Sequence, residues 1–191
     1  MMRKLLMAVK YRFELWNIPA WLPERIQKCF PELSVVKLDG YQGLGTEIED
    51  AEIFVGWSLR PEQLTRAHRL RWVHSTAAGV SQLCYPEMVA SPVVLTNASP
   101  VMSAPVAEHT VALILALARR IPSAVRYQQQ AFWAQNEIFN EQPRPMDLAG
   151  RTLGLVGLGH IGRELVARVR PFQMRVVAVK QIGRASCRER V

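Results

Sequence analysis

Thr152-Leu153-Gly154-Leu155-Val156-Gly157-Leu158-Gly159-His160-Ile161-Gly162 is the most informative stretch of the chain. Five residues that read as a buried strand run straight into a G-x-G-x-x-G frame, and Arg163 to Arg170 continue as a helix up to Pro171. Arg175 to Val179 then read as a second strand, completing a βαβ unit. In that setting each glycine has its own task. Gly157 allows the tight strand-to-helix turn, Gly159 lets a pyrophosphate approach the backbone, and Gly162 lets helix and strand pack closely. The helix start, Gly157 to Gly162 with Leu158, His160 and Ile161, offers unpaired N–H groups and a positive dipole end to phosphates. A dinucleotide is therefore the expected ligand of this turn.

Cofactor choice turns on the end of the second strand. A carboxylate there binds the ribose hydroxyls of NAD, but this chain has Val179-Lys180. A cation suits the 2′-phosphate of NADP, so the expectation is NAD(P) with a lean to NADP. An ordinary surface lysine is the competing reading of Lys180.

Upstream, the chain alternates short apolar runs with helix-like segments. Leu5–Val9, Val35–Leu38, Ile53–Val55, Trp72–His74 and Val93–Thr96 have the length of buried strands. Leu22–Phe30 and Pro61–Ala67 read as helices, and Val80–Val89 as a shorter one broken by Pro86. Such alternation predicts a mostly parallel sheet covered on both faces, an α/β domain with flavodoxin-like order. A longer helix follows, with Ser103 as N-cap, Pro105 in its first turn and Glu108 near its positive end. From Val111 to Ala118 it has no polar residue, which predicts burial between domains or against another subunit. Asn136 to Gly150 reads as a connection. The expected organisation is an α/β domain over 1–102, helix and linker over 103–150, a partial Rossmann domain over 151–180, and a tail over 181–191.

Composition narrows the function classes. No segment reaches the roughly 18 apolar residues of a membrane span, and no secretory leader is recognisable, so the expected location is cytoplasmic. Cys29, Cys84 and Cys187 fit no metal-ligand or disulfide spacing. The net charge of +8 (24 basic minus 16 acidic residues) is scattered except for Arg184, Arg188 and Arg190. A dispersed excess suits small anions better than nucleic acid.

Four stretches together resemble the D-isomer-specific 2-hydroxyacid dehydrogenases, nearest the glyoxylate/hydroxypyruvate reductase-like members. They are Ala51-Glu52-Ile53-Phe54-Val55-Gly56-Trp57, Ser75-Thr76-Ala77-Ala78-Gly79-Val80, Pro105-Val106-Ala107-Glu108-His109, and Leu148 through Gly162. The resemblance implies that residues 1–102 form the substrate domain and that a homodimer forms through the long helix. It also implies that the backbone of Ala78-Gly79-Val80 binds a substrate carboxylate and that Val106 lies beside the nicotinamide. Taken without the resemblance, Ala78–Val80 is an ordinary turn and Val106 a core valine. The implied reaction moves hydride between NAD(P)H and a small 2-keto or 2-hydroxy acid.

The arginine, acidic residue and histidine that carry catalysis in the family follow the second Rossmann strand, and none has a counterpart here. No catalytic residue is expected in this chain. Adjacent Glu108 and His109 read as helix-start and packing residues, and His74 and His160 are equally poor acid–base candidates. The family pattern stops at Lys180, and Gln181–Val191 reads as the translation of a sequencing adapter, a non-native end. The chain by itself is then expected to be an inactive, aggregation-prone fragment. A nucleotide-sensing binding protein on the same scaffold is the alternative. Formate or phosphite oxidation is disfavoured, formate because Met102 stands where formate dehydrogenases of the family carry asparagine.

Overall fold

Strand β1 (Arg3–Ala8) is apolar on both faces, which suits the middle of a parallel sheet. The computed structural model describes residues 2–179, so Lys180 and the tail expectation for 181–191 lie outside the described residues. Strands β2 (Leu33–Leu38), β3 (Ile53–Gly56), β4 (Trp72–Ser75) and β5 (Val94–Asn97) join β1 in one parallel sheet of order β2-β1-β3-β4-β5. This is the flavodoxin-like order, with its switch point between β1 and β3.

Alternation along β1 separates two cores. Leu6 and Ala8 point to one face with Phe54 and Val73, where Leu44 and Ile48 cover them together with Leu83 and Met88. Those residues come from α2 (Leu44–Glu47) and its end, a 3-10 turn (Ser81–Leu83) and α4 (Pro86–Ala90), with α3 (Pro61–Arg66) beside them. Leu5, Met7 and Val9 point to the other face, against Ile18 and against Leu22 and Ile26 of α1 (Trp21–Cys29). That second face is less covered towards β5: Trp72 is 40% exposed and its register partner Val94 57%. Lys4 fastens β1 to the end of α2 and the segment after it by hydrogen bonds to Glu47 (2.7 Å) and Asp50 (2.6 Å).

A second unit starts at Pro100. It contains α5 (Ser103–Ala118), α6 (Ile121–Gln128), α7 (Gln135–Asn140), β6 (Thr152–Val156), α8 (His160–Val169) and β7 (Arg175–Val179). Strands β6 and β7 pair in parallel. Ala107 of α5 and Leu165 and Val169 of α8 form its core, with Val111, Leu153, Leu155, Met174 and Val176 packed against them. Arg168 of α8 donates to Glu108 of α5 at 2.9 Å. The long helix therefore belongs to the same unit as the βαβ segment, the unit that begins at Pro100.

Three local expectations change. Ser103 is not the N-cap of α5; Met102 takes that position, and Ser103 is buried with its hydroxyl lacking a partner among the described residues. Glu108 lies beyond the first turn and makes its ion pair to α8 instead. The connection expected from Asn136 begins inside α7, and α6 follows α5 directly because Arg120 takes a left-handed conformation (φ 55°) that redirects the chain.

The apolar stretch of α5 is only partly buried within the chain: Leu113 is 51% exposed and Leu117 66%. One face of the β6–β7 pair is likewise open, with Val156, Val177 and Val179 turned outward. Among the described residues no helix is long and apolar enough to cross a membrane.

Candidate functional site

The glycine turn joins β6 to α8. Gly157 takes φ +98°, a conformation that disfavours side chains, and its N–H donates to Val179 O at 2.8 Å, tying the turn to β7. Gly159 has extended backbone and caps α8; a Cβ there would meet nothing within 4 Å, so the approach to its backbone is open. Gly162 is the reverse. A Cβ on it would lie 2.7 Å from Gly157 O and 3.1 Å from a methyl of Leu155.

Arg163 is the first residue of α8 to donate within the turn, to Gly159 O at 3.0 Å. The N–H groups of His160, Ile161 and Gly162 ahead of it have no acceptor among the described residues, as the first turn of a helix requires. No acidic side chain occupies that turn, so its partial positive charge is uncompensated. The donor set fits a pyrophosphate. Leu158 belongs to the same turn, whereas Val106 sits on α5 and is 37% exposed.

In the first unit, the loop Ser75–Val80 leaves the C-terminal end of β4, the sheet edge at which open α/β folds bind ligands. The carbonyls of Ala77 to Val80 are occupied, those of Ala77 and Val80 by the N–H groups of Ala98 and Leu83. Asn97 Nδ2 donates to Ala78 O (2.7 Å), and Gln82 Nε2 donates to Gly79 O (3.4 Å) and to Trp57 O (3.2 Å). Ala77 N–H donates to the buried Ser75 hydroxyl at 3.2 Å. The N–H groups of Ala78, Gly79 and Val80 have no acceptor among the described residues. Gly79 lacks a positive φ, and a Cβ added to it would meet nothing within 4 Å, so nothing within the fold demands glycine there. A short row of backbone donors with its carbonyls turned away is suited to an anion.

No acid–base pair accompanies this loop among the residues singled out from sequence. His74 lies in β4, where its Nδ1 meets Thr96 Oγ1 at 2.9 Å while Trp72 Nε1 donates to the same hydroxyl at 2.8 Å. Burial holds the His74 imidazole below its ordinary pKa. Glu108 is engaged by Arg168, and His109 is exposed on α5. Gln82 and Asn97 are the supports that sequence reading missed. The signal for Asn97 was its place at the end of β5, beside the β4 loop.

Residues 111–190 match the family described as D-isomer specific 2-hydroxyacid dehydrogenase, NAD binding domain. A glyoxylate reductase of Korarchaeum cryptofilum is 30% identical over 182 residues, covering 91% of this chain and 48% of that protein. A D-3-phosphoglycerate dehydrogenase of Methanocaldococcus jannaschii is 29% identical over 134 residues, covering 69% of this chain and 25% of its own length. Among solved structures, a D-isomer specific 2-hydroxyacid dehydrogenase family protein from Aeromonas salmonicida superposes with a TM-score of 0.71 at 27% identity, covering 98% of this chain and 56% of that one. Residues 111–190 thus carry the match to the NAD binding domain of the D-isomer specific 2-hydroxyacid dehydrogenase family, and the chain as a whole is similar to proteins of that family. It spans between a quarter and about half the length of these relatives.

Proposed function

We propose that this chain carries the substrate domain and the opening of the nucleotide domain of an NAD(P)H-dependent reductase of small 2-keto acids. The observation that carries the reading is the pair of unpaired backbone donor rows, at Ala78–Val80 and at His160–Gly162. In this reading Ala78, Gly79 and Val80 hold the substrate carboxylate. Gly157, Leu158, Gly159, His160, Ile161 and Gly162 hold the cofactor pyrophosphate, Val106 borders the nicotinamide, and Lys180 serves the adenosine ribose. Hydride chemistry at the keto carbon is what a nicotinamide supplies when bound. The protein's share is to orient the acid through fixed N–H groups that need no titration.

Reduction of glyoxylate or hydroxypyruvate and a preference for NADP belong to the same proposal, as does homodimerisation through α5. The 191-residue chain is proposed to bind its ligands without turning over. Titration of the purified chain with NADPH and NADH, followed by nicotinamide fluorescence, tests the first part. Saturable binding that a Gly162→Val variant abolishes supports it, and no saturable binding of either cofactor overturns it. Steady oxidation of NADPH with glyoxylate by the same chain would overturn the inactivity.

A further inference from the structure

At the switch point of the first sheet, the segments leaving β1 and β3 bring four aromatic rings together. Tyr11 and Trp16 stack, with centroids 4.8 Å apart and planes 20° from parallel. Trp57, just past β3, meets both edge-on, at 4.8 Å from Tyr11 and 5.7 Å from Trp16. Phe13 closes the group against Tyr11 and Trp16. This is not a core, because Phe13 is 51% and Trp16 52% exposed. Nor is it loosely held. Asn17 clamps the loop, accepting from Tyr11 N–H at 2.7 Å and donating to the carbonyls of Tyr11 (3.0 Å) and Phe13 (3.3 Å).

Two further observations point to a ligand. Trp57 Nε1 is buried without an acceptor among the described residues. A buried donor in that state is disfavoured, and a water or an acceptor group of a ligand seated against the rings would satisfy it. In addition, the amide of Gln82 bridges Trp57 O and Gly79 O, so the aromatic group and the free donors of the β4 loop lie one side-chain amide apart.

We infer that Tyr11, Trp16 and Trp57 form the side-chain wall of the substrate pocket and that, among the 2-keto acids the carboxylate site accepts, they hold those with an aromatic ring more tightly than small ones such as glyoxylate or hydroxypyruvate. The inference rests on the reading of Ala78–Val80 as the carboxylate site. A ring on the third carbon extends the stacked and edge-on arrangement already present, whereas a methyl group gains little from it. The wall positions the acid and takes no part in bond making.

The test measures dissociation constants of phenylpyruvate and pyruvate for the whole 191-residue chain by ligand-observed NMR, in wild type and in Trp16→Ala. Trp16 ends an exposed 3-10 turn (Glu14–Trp16) outside the sheet, so the variant is expected to keep the fold, and its unfolding midpoint serves as the check. Phenylpyruvate is expected to bind about tenfold more tightly than pyruvate in wild type, and within about threefold in the variant. Equal binding of the two acids by wild type overturns the inference and leaves the carboxylate site standing, as does a tenfold preference that survives in Trp16→Ala. If neither acid binds, the carboxylate reading fails and benzyl alcohol decides for the wall. Binding lost in Trp16→Ala supports the wall, and binding absent or unchanged overturns it. A Trp16→Ala chain whose sedimentation changes while its discrimination does not makes the patch a protein contact and overturns the inference.

Discussion

Gly162 stands so close beneath the turn that its missing Cβ would lie 2.7 Å from the carbonyl oxygen of Gly157. The obstacle is backbone, which cannot rotate aside as a flexible side chain would. Gly162→Ala must therefore push α8 off β6, at a cost of about 1–3 kcal/mol. A urea unfolding series is expected to show a lower midpoint, with nucleotide binding weakened further because the free N–H groups move with the helix. An unchanged midpoint would contradict the packing.

Gly79 behaves in the opposite way, since its Cβ position is open and its φ ordinary. Gly79→Ala is expected to leave stability within about 0.5 kcal/mol while reducing keto-acid binding. Calorimetric unfolding with a parallel ligand titration separates the two. Loss of stability without loss of binding would make Ala78–Val80 a structural turn.

His74 predicts a pH dependence. Its folded pKa is lowered by burial, so well above the ordinary value of 6.5 the imidazole is neutral in both states and its contribution is complete. As pH falls through 6.5 the unfolded chain takes up a proton that the folded chain refuses, and stability declines until the pH passes the folded pKa. The unfolding midpoint is expected to drop between pH 7.5 and 5.5 in wild type and to drop less in His74→Gln. Parallel curves for the two proteins would show that His74 does not set the pH dependence.

The exposed part of α5 bears on assembly. Leu117 is 66% exposed on a helix whose last two turns contain no charged residue. If that surface joins two copies, Leu117→Glu buries an unpaired carboxylate in the contact and should shift the sedimenting species from dimer to monomer. A wild-type chain that sediments as a monomer at all concentrations would refute the proposed dimer.

Strand positions and the glycine turn were legible because their signals are local. A run of four to six apolar residues, or three glycines in frame between strand and helix, needs no distant partner to be read. Helices α2, α6 and α7 were not read: α2 has only four residues, too few to show a period, and α6 starts where Arg120 turns left-handed, which its residue type does not announce. Ser103 misled for a related reason: a residue type suited to capping stood one position inside a helix whose start is set by the turn from Pro100 to Ser103.

The sequence by itself determined the alternation of β1 to β5 with helices and the frame in which Gly157, Gly159 and Gly162 divide their tasks, since backbone sterics and hydrophobic period act over a few residues. Only the tertiary structure decided that Tyr11 and Trp57 touch, that Gln82 spans Trp57 and Gly79, and that Glu108 answers Arg168. Those partners are brought together by the parallel crossovers, which set neighbouring strand ends side by side, and by the packing of α5 on α8. Separation along the chain carries no record of either.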